Sequence, residues 1–319
     1  MSNFCKNNKQ YIILLATALF LALFLAVTPL FQSSFLKLIE LTSYLVWHNV
    51  FEFSSVIIAI CIFCVSYYSF EQKENFRYLF LGSTMLLIGF IDFFHVMSYK
   101  GMPDFLIPYT TSDRATTFWI IARLIGGVGV LASTILPQKV TFRSGKILFF
   151  ILPIILSLLV LYLVTYYPGL LPPMYVEGQG LTEIKIFLEF VVILLFLAAI
   201  IFSLYEYKKN NDNYIIAFAC ALLVGIFSEL SFTLYVDVYG IYNYIGHLLK
   251  FVMYFIIFRV IFIQNIRQPY LDLTAAKDEI KNYADNLDKI VGQRTEQINQ
   301  IHQKLLDDLE YARDIQRSM

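Results

Sequence analysis

An aspartate and a histidine stand three residues apart at the close of an apolar run, in Ile91-Asp92-Phe93-Phe94-His95, and the run then breaks into Tyr99-Lys100-Gly101. On a helix that spacing puts both side chains on one face. A charged residue inside a membrane segment costs about 2.5–3.5 kcal/mol on insertion scales, so such a pair marks a site by default. Other apolar runs supply possible partners. His48-x-x-x-Glu52 is spaced i, i+4 and His247-x-x-Lys250 is spaced i, i+3, while Arg123, Glu189 and Glu229 stand singly. Carboxylates and cations can pair, imidazoles can ligate a metal or haem, and the whole set can bind protons.

These residues must be carried by membrane helices. The chain is 58% hydrophobic and 15% charged, and its mean hydropathy is +0.66. A soluble domain carries roughly 25% charged residues. Eight runs approach the ~20 residues that cross a bilayer: Tyr11–Phe31, Leu45–Ser69, Arg77–Tyr99, Ala115–Leu136, Ile147–Tyr167, Leu181–Tyr205, Asn213–Val236 and Ile241–Ile263. The first run is too long for the core of a signal peptide and reads as an uncleaved span. The expectation is an all-α, polytopic membrane helical bundle over residues 1–268, followed by a cytoplasmic coiled coil over 269–319.

Basic residues in the short connections set orientation. With the N-terminus inside, the inner set is Lys6, Lys9, Lys73, Arg77, Lys139, Arg143, Lys146, Lys208 and Lys209. The outer set is Lys37, Lys100 and Arg114, with Lys185 just inside a span. The bias predicts both termini in the cytoplasm. It also places His48, Glu52, Asp92, His95, Arg123, Glu189, Glu229, His247 and Lys250 in one layer of the outer leaflet. Six helices contribute to this layer. The first and fifth contribute nothing ionisable and are expected at the periphery. With neutral histidines the layer counts four carboxylates against Arg123 and Lys250, a formal charge of −2 that protons or a bound cation must relieve.

Three readings of the layer stay open. One is a structural network in which Arg123 pairs with Asp92 or Glu52, Lys250 pairs with Glu229, and the histidines hydrogen-bond. The second is a metal or haem site on His48, His95 and His247. The third is a proton-responsive or small-ligand pocket. The identity of any cofactor is not set by the sequence.

Past Pro269 the chain becomes charged and helix-favouring. Apolar residues fall at a and d positions at Leu273, Ile280, Ala284, Leu287, Val291, Ile298, Ile301, Leu305, Ala312 and Ile315. This is the pattern of a coiled coil, read here as a parallel homodimer. Lys277, Arg294 and Asp308 fall on the same seam and weaken it. As a helix, fifty residues would extend ~75 Å.

With these residues in view, the chain resembles the MASE3 membrane-associated sensor domain of bacterial signalling proteins. The matching stretches are His48-x-x-x-Glu52, Asp92-x-x-His95-x-x-Ser98-Tyr99-Lys100-Gly101-Met102, Trp119-x-x-x-Arg123, Ser228-Glu229 and Gly246-His247-x-x-Lys250, over roughly residues 40–265. The resemblance implies an input-sensing role in the bacterial inner membrane. The tail, with Glu310-x-Ala312-x-x-Ile315-Gln316, is similar to the helix leading into SpoIIE/RsbU-type PP2C serine phosphatases. That likeness implies a cytoplasmic output domain in cis. The sequence stops before any aspartate-rich metal site, so the expectation is a fragment or a missing output, with no catalytic domain in this chain. Arg294-Thr295-Glu296 also resembles linkers ahead of sensor kinases, which keeps a histidine kinase output open.

Other classes fare less well. A transporter or channel would need a polar relay through the inner half, which the sequence lacks, and no inverted repeat is evident. An intramembrane metalloenzyme would need a substrate that nothing identifies. Cys61-x-x-Cys64 has redox or zinc spacing but no second pair, so packing is the simpler reading. The net charge is zero, and nucleic acid has no support. The partners expected are membrane lipid, a second copy through the coil, and the output domain.

Overall fold

The computed structural model describes residues 2–34, 41–108, 111–140, 145–235 and 238–318. Lys37 and Arg143, used above to weigh orientation, lie outside the described residues, as does Val236 at the expected end of the seventh span; the side chain of Lys6 is likewise not described. Among the described residues nine long α-helices follow in chain order: α1 Ser2–Val27, α2 Leu41–Lys73, α3 Phe76–Met97, α4 Asp113–Ile135, α5 Leu148–Tyr166, α6 Glu183–Asn210, α7 Asn213–Leu234, α8 Ile241–Phe262 and α9 Gln268–Ser318. The first eight are long and apolar enough to span a bilayer. The chain is a multi-pass, all-α membrane protein.

Turn chemistry explains where the helices start and stop. The Asn75 side chain caps α3 by accepting from the Tyr78 amide, Thr182 caps α6 by accepting from Lys185, and Asp212 caps α7 by accepting from Tyr214. These caps satisfy amides left open in a first helical turn. Asn211 ends α6 in the left-handed conformation at φ 52°, a role open to Asn because its short amide tolerates that region.

Helices α2, α3, α4, α6, α7 and α8 pack each on the next, and α8 closes back on α2. Six helices therefore form a closed ring. α1 lies outside it against α7, and α5 lies outside it against α3 and α4. In the apolar windows of α1 and α5 only 11% and 22% of residues are buried, against 78% in α3. The two helices without ionisable residues in the layer are the two at the periphery. Their exposed faces carry Leu15, Leu19, Phe20 and Leu23 on α1, and Leu148, Leu152 and Leu159 on α5, as lipid contact requires.

Small residues let the ring close tightly, since membrane helices associate through close packing. Gly129 of α4 faces Thr84 of α3, and a Cβ added at Gly129 would fall 2.2 Å from the threonine methyl. Gly246 of α8 faces the Phe232 ring of α7 in the same way, at 2.4 Å.

Between α5 and α6 a two-stranded hairpin pairs Tyr175 with Leu181 and Val176 with Gly180. The bundle end that carries it is called the hairpin end. The opposite end is held by polar pairs near the interface. Arg77 meets Glu206 at 2.5 Å and also donates to the Leu136 carbonyl, Gln138 donates to Glu206 at 3.0 Å, and Lys146 meets Glu71 at 2.8 Å.

The chain divides into two compact units, Met1–Ile266 and Arg267–Met319. The second unit is almost wholly α9, a single helix of 51 residues with none buried, about 75 Å long. Leu273, Ile280, Leu287, Ile298, Ile301, Leu305 and Ile315 stand exposed along it.

Candidate functional site

The third-span motif builds the hairpin end residue by residue. Ser98 Oγ accepts from Arg114 Nε at 3.1 Å, and the same guanidinium donates to the Phe105 carbonyl at 2.9 Å. The α3–α4 loop is thereby folded back onto the bundle. Tyr99 donates to the Val238 carbonyl at 2.6 Å, and its ring stacks on His48 with centroids 3.8 Å apart. Gly101 has φ +95°, and a Cβ there would also meet Leu45 at 2.8 Å, so conformation and space both call for glycine. Met102 Sδ accepts from Asn49 Nδ2 at 3.3 Å.

Lys100 reaches outward to Glu177 Oε2 at 2.8 Å. The other oxygen of Glu177 accepts from the Ser112 amide at 2.9 Å and from its hydroxyl at 3.1 Å. The Lys100 ammonium and the Ser112 donors hold the Glu177 carboxyl below the usual carboxylate range, and Glu177 in turn raises Lys100. Asp113 Oδ1 binds the strand from the other side, accepting from the amides of Met174 at 2.6 Å and Tyr175 at 2.9 Å. The hairpin is thus stapled to both ends of the α3–α4 connection.

Beneath this lid lies the layer. His48, Glu52, Asp92, His95, Arg123, Glu189, Glu229, His247 and Lys250 are all buried, with at most 4% of any of them exposed. Each sits within about four helical turns of the hairpin end, on the six ring helices. Seven of the nine form one assembly. Glu52 stands between His247 and Lys250, with Oε1 2.7 Å from His247 Nδ1 and Oε2 2.6 Å from Lys250 Nζ. Lys250 also donates to Asp92 Oδ2 at 3.2 Å. Arg123 Nη2 donates to both oxygens of Asp92, at 2.8 and 2.9 Å. His95 and His48 complete the group. Tyr254 joins this chain, accepting from Arg123 at 2.9 Å and donating to Asp92 at 3.3 Å. The expected pair of Arg123 with Asp92 is present, whereas Lys250 pairs with Glu52 and Asp92 and not with Glu229. The reason is azimuth: α8 packs on α2, which turns Lys250 toward Glu52.

The remaining two carboxylates form a second group. Glu189 Oε1 accepts from Trp119 Nε1 at 3.2 Å and pairs with Lys185 at 2.8 Å, and Glu229 lies beside Glu189. Lys185 is fully buried and also donates to the Phe232 carbonyl at 2.7 Å. It belongs to the layer, so the formal charge is four carboxylates against Arg123, Lys185 and Lys250, or −1 instead of −2. Within the first group Glu52 and Asp92 balance Lys250 and Arg123. Trp119 separates the groups, with the Arg123 guanidinium 4.6 Å and the Lys250 ammonium 4.7 Å from its ring centre.

The three intramembrane histidines converge. One ring nitrogen of each of His48, His95 and His247 lies within 4.8 Å of one from each of the others. His95 and His247 also line a cavity of about 20 Å³ with Tyr99, Trp119, Phe232 and Asn243, and Lys100 and Ser112 line it on the hairpin side. That volume admits about one water. A metal ion or a water suits this space, and a haem macrocycle does not. Cys61, Cys64 and Cys220 are free and stand apart from these residues, consistent with packing roles.

A closed ring of membrane helices around a buried, charge-balanced cluster is the architecture of a multi-pass membrane protein with a site at one end. The family model for MASE3, a membrane-associated sensor domain, matches residues 39–269, well over half of the chain. The chain belongs to that family. No curated protein and no solved structure matches it.

Proposed function

We propose that this chain is the sensory input module of a bacterial signal-transduction protein, seated in the inner membrane with both termini in the cytoplasm and the hairpin end facing outward. The layer of His48, Glu52, Asp92, His95, Arg123, Glu189, Glu229, His247 and Lys250 is its sensing site. A single observation carries the reading: among the described residues, every buried Asp, Glu, His, Lys and Arg of the ring helices clusters under the hairpin. A transport path would need polar groups along the whole crossing. A sensor needs only a site whose occupant favours one of two arrangements of the helices.

The output is read through α9. Its apolar stripe, exposed in a single chain, fits the seam of a parallel homodimer. Arg294 and Asp308 on that seam are points at which two registers can compete. The Glu310-x-Ala312-x-x-Ile315-Gln316 pattern favours a PP2C-type serine phosphatase as the domain in cis, with a histidine kinase as the second choice. Insertions of one to seven residues after Pro269 in the full-length protein test the scheme. Output that cycles with helical phase agrees with it, and output indifferent to insertion length contradicts it.

A further inference from the structure

We propose that His48, His95 and His247 bind one first-row transition-metal ion, with Zn²⁺ as the reference case, and that this ion occupies the sensing site; the inference rests on the sensor reading above. The donor chemistry comes first. His95 Nδ1 is 2.8 Å from the Ala115 carbonyl, which can only accept. His247 Nδ1 is 2.7 Å from the Glu52 carboxylate. His48 Nδ1 is 3.3 Å from the Asn49 side-chain oxygen. The Ala115 carbonyl and the Glu52 carboxylate place the proton of His95 and His247 on Nδ1, and the Asn49 oxygen favours the same tautomer at His48, which leaves each Nε2 its lone pair. In two of the three, His48 and His95, that Nε2 is buried with no hydrogen-bond partner among the described residues. A buried acceptor without a partner is costly, and a metal ion shared by the histidine ring nitrogens that lie within 4.8 Å of one another would satisfy both.

The arrangement of outer groups also fits a metal. Ligating histidines almost always donate their other ring N–H to a carboxylate or carbonyl, which fixes the tautomer and orients the ring. His247 has the carboxylate of Glu52 and His95 has the carbonyl of Ala115. An all-nitrogen imidazole set selects zinc, copper, nickel or iron over calcium and magnesium, which take oxygen. A tetrahedral zinc with Zn–N bonds of about 2.0–2.1 Å puts its ligand nitrogens about 3.3 Å apart. The ring nitrogens that approach one another lie at most 4.8 Å apart, so binding draws the rings inward by up to about 1.5 Å to reach that value.

The neighbouring carboxylates are already balanced, because Lys250 and Arg123 neutralise Glu52 and Asp92. The ion therefore meets three neutral imidazoles and no free carboxylate. Three protein ligands leave a fourth position open. Two of the three ligands face the 20 Å³ cavity that extends toward Lys100 and Ser112, so the open position is served by one water or a small exogenous ligand entering from the hairpin end.

The test uses the whole chain in nanodiscs, stripped with chelator and titrated with Co²⁺ and then Zn²⁺. One Co²⁺ per chain with the intense visible bands of tetrahedral coordination, displaced by Zn²⁺, is the expected result. His48→Gln, His95→Gln and His247→Gln should each weaken binding by more than the ~10–100-fold that loss of an outer partner costs. His302→Gln, on exposed α9, should leave it unchanged. Should the variants misfold, X-ray absorption of the zinc-loaded wild-type chain decides: three imidazole nitrogens at about 2.0 Å support the site, and fewer than three overturn it. Absence of a stoichiometric ion, or binding that survives the triple substitution, also overturns it. Such a failure leaves the sensor reading standing if Glu52→Gln still alters α9 pairing.

Discussion

His247 Nδ1 stands 2.7 Å from Glu52 Oε1 across the α2–α8 interface. Glu52 is four residues from His48 on its own helix and uses its second oxygen on Lys250. One carboxylate thus orients one histidine, shares a helical face with another, and holds the adjacent cation. The substitution Glu52→Gln keeps the shape and removes the charge. It is expected to leave the chain folded and to lower Zn²⁺ affinity about 10–100-fold, measured by competition with a chromophoric chelator. Unchanged affinity would show that Glu52 does not act on the imidazole.

The Arg123–Asp92 pair is buried on both sides, at 3% and 0% exposed. Removing one partner of such a pair leaves a buried charge uncompensated and costs about 3–5 kcal/mol. Arg123→Met is therefore expected to lower the thermal midpoint in nanodiscs sharply. The double variant Asp92→Leu/Arg123→Met should lose much less than the sum of the two single changes. Additive losses would mean that the pair is not coupled.

The Lys100–Glu177 pair closes the lid and lies at the surface, 39% and 38% exposed. Screening limits such a pair to roughly 0.2–1 kcal/mol. The Glu177 contribution is complete above its ordinary pKa of about 4.3 and is lost as pH falls through its depressed value. The Lys100 contribution is complete below about 10.4 and is lost as pH rises through its raised value. Hydrogen exchange at the hairpin amides, corrected for intrinsic rates, should be flat from about pH 5 to 9 and faster in high salt or in Glu177→Gln. A step near neutral pH would point to another group.

Gly246 lets α8 approach α7, where a new Cβ would fall 2.4 Å from the Phe232 ring. Gly246→Ala is expected to cost about 1–3 kcal/mol by overpacking and to weaken Zn²⁺ binding through the adjacent His247. Gly292 has open space around it, so Gly292→Ala in α9 should be neutral or stabilising, by up to about 1 kcal/mol. Circular dichroism melts on both variants compare them directly.

The sequence made the spans and their depth legible because hydrophobic run length and charge position are one-dimensional properties. Its span boundaries differ from the helices by a few residues at most ends, although α1 begins earlier than Tyr11, at Ser2. The peripheral places of α1 and α5 followed from their lack of ionisable residues in the layer. Pairing was harder to read, because it depends on how each helix is rotated in the ring. Lys250 meets Glu52 and Asp92 through the α8–α2 and α3 packing, which local spacing does not contain. Two members were not assigned to the layer despite a usable signal: Lys185, read only as a basic residue just inside a span, is four residues before Glu189, and Tyr254 is four residues after Lys250, each on the same face as its partner.

The proposed function requires that the cluster under the hairpin govern the pairing of α9. The direct measurement is disulfide formation in native membranes by Leu287→Cys, with Asp288→Cys as the off-seam control, in otherwise wild-type and Glu52→Gln backgrounds. The account predicts rapid cross-linking at 287, little at 288, and a clear change in the rate at 287 when Glu52 is altered. Equal rates at the two positions, or a rate at 287 that ignores the Glu52 substitution, would contradict it.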